Sequence, residues 1–479
     1  MASEALSNGQ GRTGLISTRY IMAMLGSIGL AIIYGFKVNV SIAIISMVNH
    51  TALNNGSSNS SVGLEDGPFV WDNKMRGLIH SMYFTGYLIS MIPSGIVAEK
   101  ISAKWVMNIA VLLNAVASIC SPVAAHISPA AFAAMRLIQG LGGGASFPAM
   151  HVMIAKWAPP KERNVIGSII YAGTALGTVI SILLTGLIAA DMGWEAVFYI
   201  EGGLCFIWFT VWWIAIADSP ADQRRFISAQ ERSYILSSLG NSESRHEKET
   251  SRIPLRQIFS SMPFIAILVA HFCSNCGWYM LLTQLPTYMN EVLHFDLKTN
   301  AGLSSLPFFC MWLFTLILSY VLTKLQGAGV ITLTFSRKIG TLFASVVPMI
   351  CLVIVSYVGN ALGAVALMTI GVTCIGGMYC GFLANHIDIA PNFAGTLVAI
   401  TNAVATIPGI VMPNVVGYLT SSKDPDEKLF AWKMIFFATA VFYVIEIIVY
   451  WIFGTAKEQP WNKTDSSHPQ AVPLGRNDD

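Results

Sequence analysis

Apolar runs of about twenty residues recur along the whole 479-residue chain, and no other feature narrows its fold so far. As a helix rising 1.5 Å per residue, a run of that length crosses a hydrocarbon core of ~30 Å. Within a bilayer each backbone amide must find its partner inside the protein, which a helix achieves by itself. The runs fall at about 20–48, 77–98, 105–126, 130–155, 165–188, 195–217, 263–287, 301–324, 338–358, 361–386, 394–420 and 432–454. They form two sets of six around a polar stretch at 218–262. Ser94-Gly-Ile-Val-Ala-Glu-Lys100-Ile after the second run is weakly echoed by Leu318-Ser-Tyr-Val-Leu-Thr-Lys324-Leu after the eighth. The expectation is an all-α membrane protein of twelve transmembrane helices in two six-helix halves. Its organisation reads as a tail at 1–18, a first half at 19–217 with an outer loop at 49–73, a central loop at 218–262, a second half at 263–455 and a tail at 456–479. Two such halves are the plan of a transporter that rocks about a cargo held near the midplane.

Composition excludes other classes. Charged residues are 11% of the chain and hydrophobic ones 54%, against roughly 25% charged in soluble domains. A net charge of +2 gives no footprint for nucleic acid. The eight cysteines all sit in apolar stretches, which argues against a disulfide framework. Cys273-Ser-Asn-Cys276 has the spacing of a redox or metal pair, but it lies mid-helix with no second pair and reads as packing. No Ser/His/Asp, metal-ligand or phosphate-loop spacing points to an enzyme. The first run is too long for a cleavable signal.

Charge bias sets the sidedness. With both ends in the cytoplasm, inner segments hold 20 of the 28 Lys and Arg residues and outer segments six, while Lys37 and Arg136 lie within the membrane. The sequons at Asn49, Asn55 and Asn59 fall in the first outer loop and are read as glycan acceptors. In the central loop, Ser228-Ala-Gln-Glu231 is a capping box opening a short helix through about Leu239, and its role is to link the halves.

The fourth run carries Arg136, followed by Gly140 and Gly142–Gly144. A buried cation costs at least ~2.5–3.5 kcal/mol on insertion scales, so it needs a partner. An anionic cargo is one; snorkelling to the headgroups is the bland alternative. Lys37 lies about eleven residues from the outer end of the first span, roughly 16 Å at 1.5 Å per residue, too deep for easy snorkelling. His80 sits a turn inside the second span. The glycines allow close helix contact. Glu201 lies near the outer end of the sixth span, Glu446 in the twelfth and Asp388 at the inner end of the tenth; Asn275, Gln284 and Asn402 are uncharged hydrogen-bonding groups in the second half.

Particular strings give a resemblance. Gly35-Phe-Lys37-Val-Asn-Val-Ser-Ile-Ala-Ile, Gly77-Leu-Ile-His80 with Phe84-x-Gly86-Tyr87, Lys156-Trp-Ala-Pro-Pro-x-Glu-Arg163, Gly193-Trp-x-x-Val-Phe-Tyr199 and Asn385-His-Ile-Asp-Ile-Ala-Pro391 are similar to the anion:cation symporters of the major facilitator superfamily, solute carrier family 17. The likeness extends from the first span to Gln459-Pro-Trp461. It implies the major facilitator fold and an anion path lined by Lys37, His80 and Arg136, with Asn275 contributing from the second half. It also implies a gating and structural role for Gly95, Glu99, Lys100 and Lys104 in the loop after the second span, and for Asn385, His386 and Asp388. Sialin-like and vesicular glutamate members place glutamates three and seven residues after the helix 4 arginine, or at seven alone; here Gln139 and Gly143 stand there. Where the glutamate carriers have an arginine in helix 7, this chain has Ser274, then Asn275. Both departures favour the phosphate-cotransporter-like branch.

The function expected is therefore symport of inorganic phosphate or a small organic anion by alternating access, coupled to sodium and with no cofactor. The partners expected are the anion, the coupling ion and the lipid bilayer, with no nucleic acid and a monomeric carrier. The alternatives are a proton-coupled organic-acid transporter of an acidic organelle and a non-transporting receptor or sensor on the same scaffold. No acidic dileucine signal stands in the N-terminal tail, which favours the plasma membrane over a lysosomal or synaptic-type vesicle membrane. The sequence does not locate a metal site for the coupling ion.

Overall fold

The computed structural model describes residues 17–53, 66–159, 162–246, 254–422 and 424–462. Asn55 and Asn59 lie outside the described residues, as do both distal tails. Among the described residues, twelve apolar helices carry the fold: α1 Thr18–Met47, α2 Asn73–Val97, α3 Ala103–Ile127, α4 Pro129–Trp157, α5 Arg163–Met192, α6 Trp194–Ala215, α7 Met262–Glu291, α8 Leu297–Gly327, α9 Leu333–Val355, α10 Ala361–Ile375, α11 Ala394–Leu419 and α12 Pro425–Phe453.

Their starts follow from capping chemistry. Asp72, Ser102, Ser128, Asp296, Thr332, Asn360 and Asp424 each stand just before a helix and accept a backbone N–H of its first turn. Pro129 follows Ser128 at a position where its missing N–H costs nothing. Large apolar side chains such as Val116, Ile214, Leu316 and Ile448 lie exposed on the outside of the bundle. That surface suits lipid, because hydrocarbon exerts no pressure to bury it.

Within the first half α2 and α3 pack on α4, and α1 on α5; within the second, α7 packs on α11 and α12, and α9 on α10 and α12. The halves meet through α2 against α11, α5 against α8 and α1 against α7.

Several details depart from the sequence reading. The loop expected to hold Gly95, Glu99, Lys100 and Lys104 is a π-helical turn over Ala98–Ser102 that joins α2 to α3. Glu99 and Lys100 point outward from it, exposed. The tenth span breaks: α10 ends at Ile375, a 3₁₀ turn covers Gly376–Tyr379 and a short helix resumes at Asn385–Ile389. Here the backbone of Gly377 and Gly381 lies so close to Gly340 and Thr341 of α9 that a methyl group on either would overlap it. The Thr315 hydroxyl takes up the Gly376 carbonyl at 3.2 Å, satisfying irregular backbone inside protein and away from lipid. The central-loop helix runs over Ala229–His246, longer than expected. Half of its capping box forms: Glu231 N donates to Ser228 Oγ at 3.1 Å, while the Glu231 carboxylate binds Thr18 N and Arg19 of α1. That helix start is thereby fastened to the first half.

Candidate functional site

Lys37 and Arg136 come together at mid-depth, both essentially sealed from solvent at 3% and 1% exposure. The Lys37 ammonium sits in a cage of four rings, 4.9 Å from the centroid of Tyr34, 5.2 Å from Phe84, 5.2 Å from Tyr87 and 4.7 Å from Tyr279. It donates to the Tyr279 hydroxyl at 3.3 Å. Ring faces stabilise a cation, but they do not neutralise it. Neither Lys37 nor Arg136 takes part in an ion pair among the described residues.

Arg136 is held from three sides. Its Nη1 donates to the Phe36 carbonyl at 2.8 Å and to Gln139 Oε1 at 2.5 Å, and its guanidinium lies 4.9 Å above the Tyr83 ring. Its Nε is buried without a partner. A side chain fixed in this way does not snorkel. Since Phe36 precedes Lys37, the same bond ties α4 to the peptide that carries the second cation.

The glycine patch explains why the tyrosines stand where they do. A methyl group at Gly140 would overlap the Tyr83 carbonyl, and one at Gly144 the Tyr87 carbonyl, so α4 and α2 touch backbone to backbone. This approach sets Tyr83 under Arg136 and Tyr87 against Lys37. His80 shares their helical face at i, i+3 and i+7. It lies two turns inside α2, deeper than expected because the helix begins at Asn73, and is 2% exposed within the field of Arg136 and Arg76.

Asn275 stands one turn before Tyr279 on α7, and its amide donates to the Ala405 carbonyl of α11 at 2.9 Å. It bonds within its own half instead of reaching the cations. With Gln139 and Gly143 in place of helix 4 acids, the acid in the field of Arg136 comes from α6: Glu201. It is fastened by Asn39 Nδ2 at 2.6 Å and Thr185 Oγ1 at 3.0 Å, and it lies within the field of Arg136. One acid against two cations leaves the region electropositive.

The outer end is shut by ties across the halves. Arg76 of α2 pairs with Glu291 of α7, Asn73 donates to the Thr420 carbonyl at 2.7 Å, and Lys298 of α8 meets Asp191 of α5 at 2.5 Å. Toward the inner side Asn402 of α11 donates to Met91 Sδ of α2 at 3.4 Å across the halves, while the ion pairs of Lys156 and Arg337 there stay within one half. Asp218, just past α6, accepts from Ser102 Oγ at 2.8 Å and Lys104 N at 3.0 Å, and pairs with Lys156. Burial pushes its carboxyl up, but these donors outweigh that and hold it below the ordinary carboxylate value. Glu162 is likewise held low by its bonds to Arg19, with help from Tyr20 and Tyr234. In the second half Arg337 pairs with Asp388 at 2.6 Å, Asn385 donates to the Tyr450 hydroxyl at 2.9 Å and His386 bonds Thr401 at 2.8 Å. Asn385, His386 and Asp388 thus knit the broken tenth span to α9, α11 and α12. Asn49 accepts from Ala52 N at 2.7 Å at the outer edge.

Comparison with known proteins agrees with this architecture. The Major Facilitator Superfamily profile matches residues 20–413. A Drosophila melanogaster protein described as "Putative inorganic phosphate cotransporter" is 38% identical over 467 residues, spanning 94% of this chain and 87% of its own. Human sialin is 37% identical, spanning 94% and 92%. Bovine vesicular glutamate transporter 2 is 33% identical, spanning 92% and 75%. Among solved structures, a bacterial homolog to the human lysosomal transporter Spinster, inward-facing and occupied, aligns with a TM-score of 0.68 at 14% identity over 92% of this chain and 97% of that one. A D-xylose–proton symporter aligns at 0.66 and 15% identity, covering 92% and 99%.

Proposed function

The chain belongs to the Major Facilitator Superfamily and, within it, to the anion:cation symporters of solute carrier family 17, and on that premise we propose that it moves inorganic phosphate or a small organic anion, driven by sodium, across the plasma membrane. It is a multi-pass membrane transporter, not an enzyme. The observation that supports the anion reading is the pair of buried, unpaired cations, Lys37 and Arg136, at the meeting of the two halves. An anion entering there meets two positive charges in a medium where each is poorly screened. The Arg136 guanidinium offers a fixed fork suited to carboxylate or phosphate. Rocking of the halves about this point exposes it alternately to either side. The relatives' printed names, phosphate cotransporter, sialin and glutamate transporter, all fit an anionic cargo.

The test is uptake of labelled phosphate, sialic acid and glutamate into proteoliposomes, with external sodium replaced by choline at several pH values. Arg136→Ala abolishes uptake at unchanged expression, and Arg136→Lys rescues poorly because the fork is lost. Normal transport by Arg136→Ala refutes the reading. A second reading, proton-coupled export of an organic acid from an acidic organelle, has one observation in its favour: the half-buried carboxyl of Glu201 within the field of Arg136. Strong proton-driven uptake without sodium that survives His80→Ala selects it.

A further inference from the structure

The second half holds an acid that the anion path does not use. Glu446 of α12 is 0% exposed, and neither carboxyl oxygen has a hydrogen-bond partner. Three hydroxyls from three helices gather on it. Ser274 of α7 and Ser345 of α9 are its side-chain neighbours, and Tyr443 lies one turn earlier on its own helix. The hydroxyls of Ser274 and Tyr443 are themselves fully buried and unpartnered. The Tyr443 hydroxyl lies against Gly277, where any side chain would overlap it. Ser345 donates to the Thr341 carbonyl at 2.8 Å, which leaves its lone pairs free to act as acceptors. The titratable groups facing Glu446 are Cys273 and Cys276 of α7 and Tyr443 of α12. None is a cation, and Glu446 takes part in no ion pair among the described residues.

An isolated carboxylate at such depth costs several kcal/mol, so it holds a positive charge. One carboxylate balances one unit of charge, and a divalent ion would leave an excess. A proton occupies a single oxygen. The convergence of three further oxygens matches the hard, oxygen-only ligation of a small metal cation. We propose that the Glu446 carboxylate and the hydroxyls of Ser274, Tyr443 and Ser345 form a binding site for one sodium ion. This deepens the transport reading, and rests on it, by placing the coupling ion. α7 then links the two sites: Ser274 and Gly277 face the cation, and Tyr279 closes the cage of Lys37.

The test is thermal unfolding of the purified full-length protein without any anion substrate, titrated with NaCl at constant chloride and ionic strength against choline chloride and KCl, at pH 7.5. Wild type shows a saturable, sodium-specific rise in Tm, as expected for an ion that binds the native state. Glu446→Gln abolishes it, and Ser274→Ala and Tyr443→Phe each move the half-saturating concentration up about tenfold. Should Glu446→Gln fail to fold, the two hydroxyl variants decide the matter. An equal rise in choline or KCl, or wild-type titrations in the hydroxyl variants, overturns the site. With no anion present, that failure leaves the path at Lys37 and Arg136 to its own test.

Discussion

Gln139→Glu probes the proposed anion path with almost no change of shape. Gln139 Oε1 accepts from Arg136 Nη1 at 2.5 Å, so the substitution puts a carboxylate oxygen in contact with the guanidinium. A neutral hydrogen bond contributes about 0.5–1.5 kcal/mol and one to a charged group about 1.5–3. The gain of roughly 1–1.5 kcal/mol stabilises the empty site and must be overcome by an entering anion. With 1.4 kcal/mol per tenfold, apparent KM rises about five- to tenfold. Longer-range repulsion of the anion adds to this, since two charges 4 Å apart interact by about 4 kcal/mol at an effective dielectric constant of 20. The assay is initial uptake of labelled anion into proteoliposomes at fixed membrane potential, at pH 7.5 and again at pH 5. The defect persists at the lower pH, because contact with the guanidinium favours the ionised carboxylate. A wild-type concentration curve at both pH values would show that Arg136 does not face the anion.

Lys37→Gln raises KM or abolishes uptake, and Lys37→Arg retains more activity; a wild-type concentration curve for Lys37→Gln removes it from the path. Gly140→Ala forces α4 away from the Tyr83 carbonyl at a cost of about 1–3 kcal/mol for overpacking, read as a fall in Tm together with a fall in uptake. For the inner cluster, the sign follows from a depressed carboxyl: the contribution of Asp218 is complete above the ordinary value of 3.8 and is lost as pH falls through its lower folded value. The Tm difference between wild type and Asp218→Asn therefore stays constant from pH 7 to 5 and closes toward pH 3; closure already between 7 and 5 contradicts the bond set drawn around Asp218.

The helices and their two-half grouping are readable from apolar length alone, since the bilayer admits few alternatives. Lys37 and Arg136 are readable too, because a charge in an apolar run demands an explanation. Their surroundings are not. Tyr34, Phe84, Tyr87 and Tyr279 look like ordinary membrane aromatics until α1, α2 and α7 are packed, when they become the walls around one ammonium. The inward facing of Glu201 is legible in its spacing: with Cys205, Trp208 and Trp212 it follows a 4-3-4 pattern, the inward stripe of α6. The depth of His80 is hidden in the sequence because polar Asn73–Arg76 reads as loop, whereas capping by Asp72 begins the helix there. Asp218 follows the apolar run and reads as loop filler; only the chain fold brings Ser102, Lys104 and Lys156 to it. The break after Ile375 is invisible to hydropathy, because its cause is contact with Gly340 and Thr341 on another helix.

Three of the rings around Lys37 belong to its own half of the molecule, and the fourth, Tyr279, belongs to the other. A rigid-body stroke that parts α1 from α7 strips away that one wall and leaves the ammonium less well covered. A loaded carrier meets this with its anion, whereas an unloaded one has nothing to offer in place of Tyr279. On the proposed path, the expected outcome is that return of the empty carrier is the slow leg of the cycle. Exchange of labelled for unlabelled anion across the membrane should outpace net uptake, and trimming the fourth wall with Tyr279→Leu should narrow that difference.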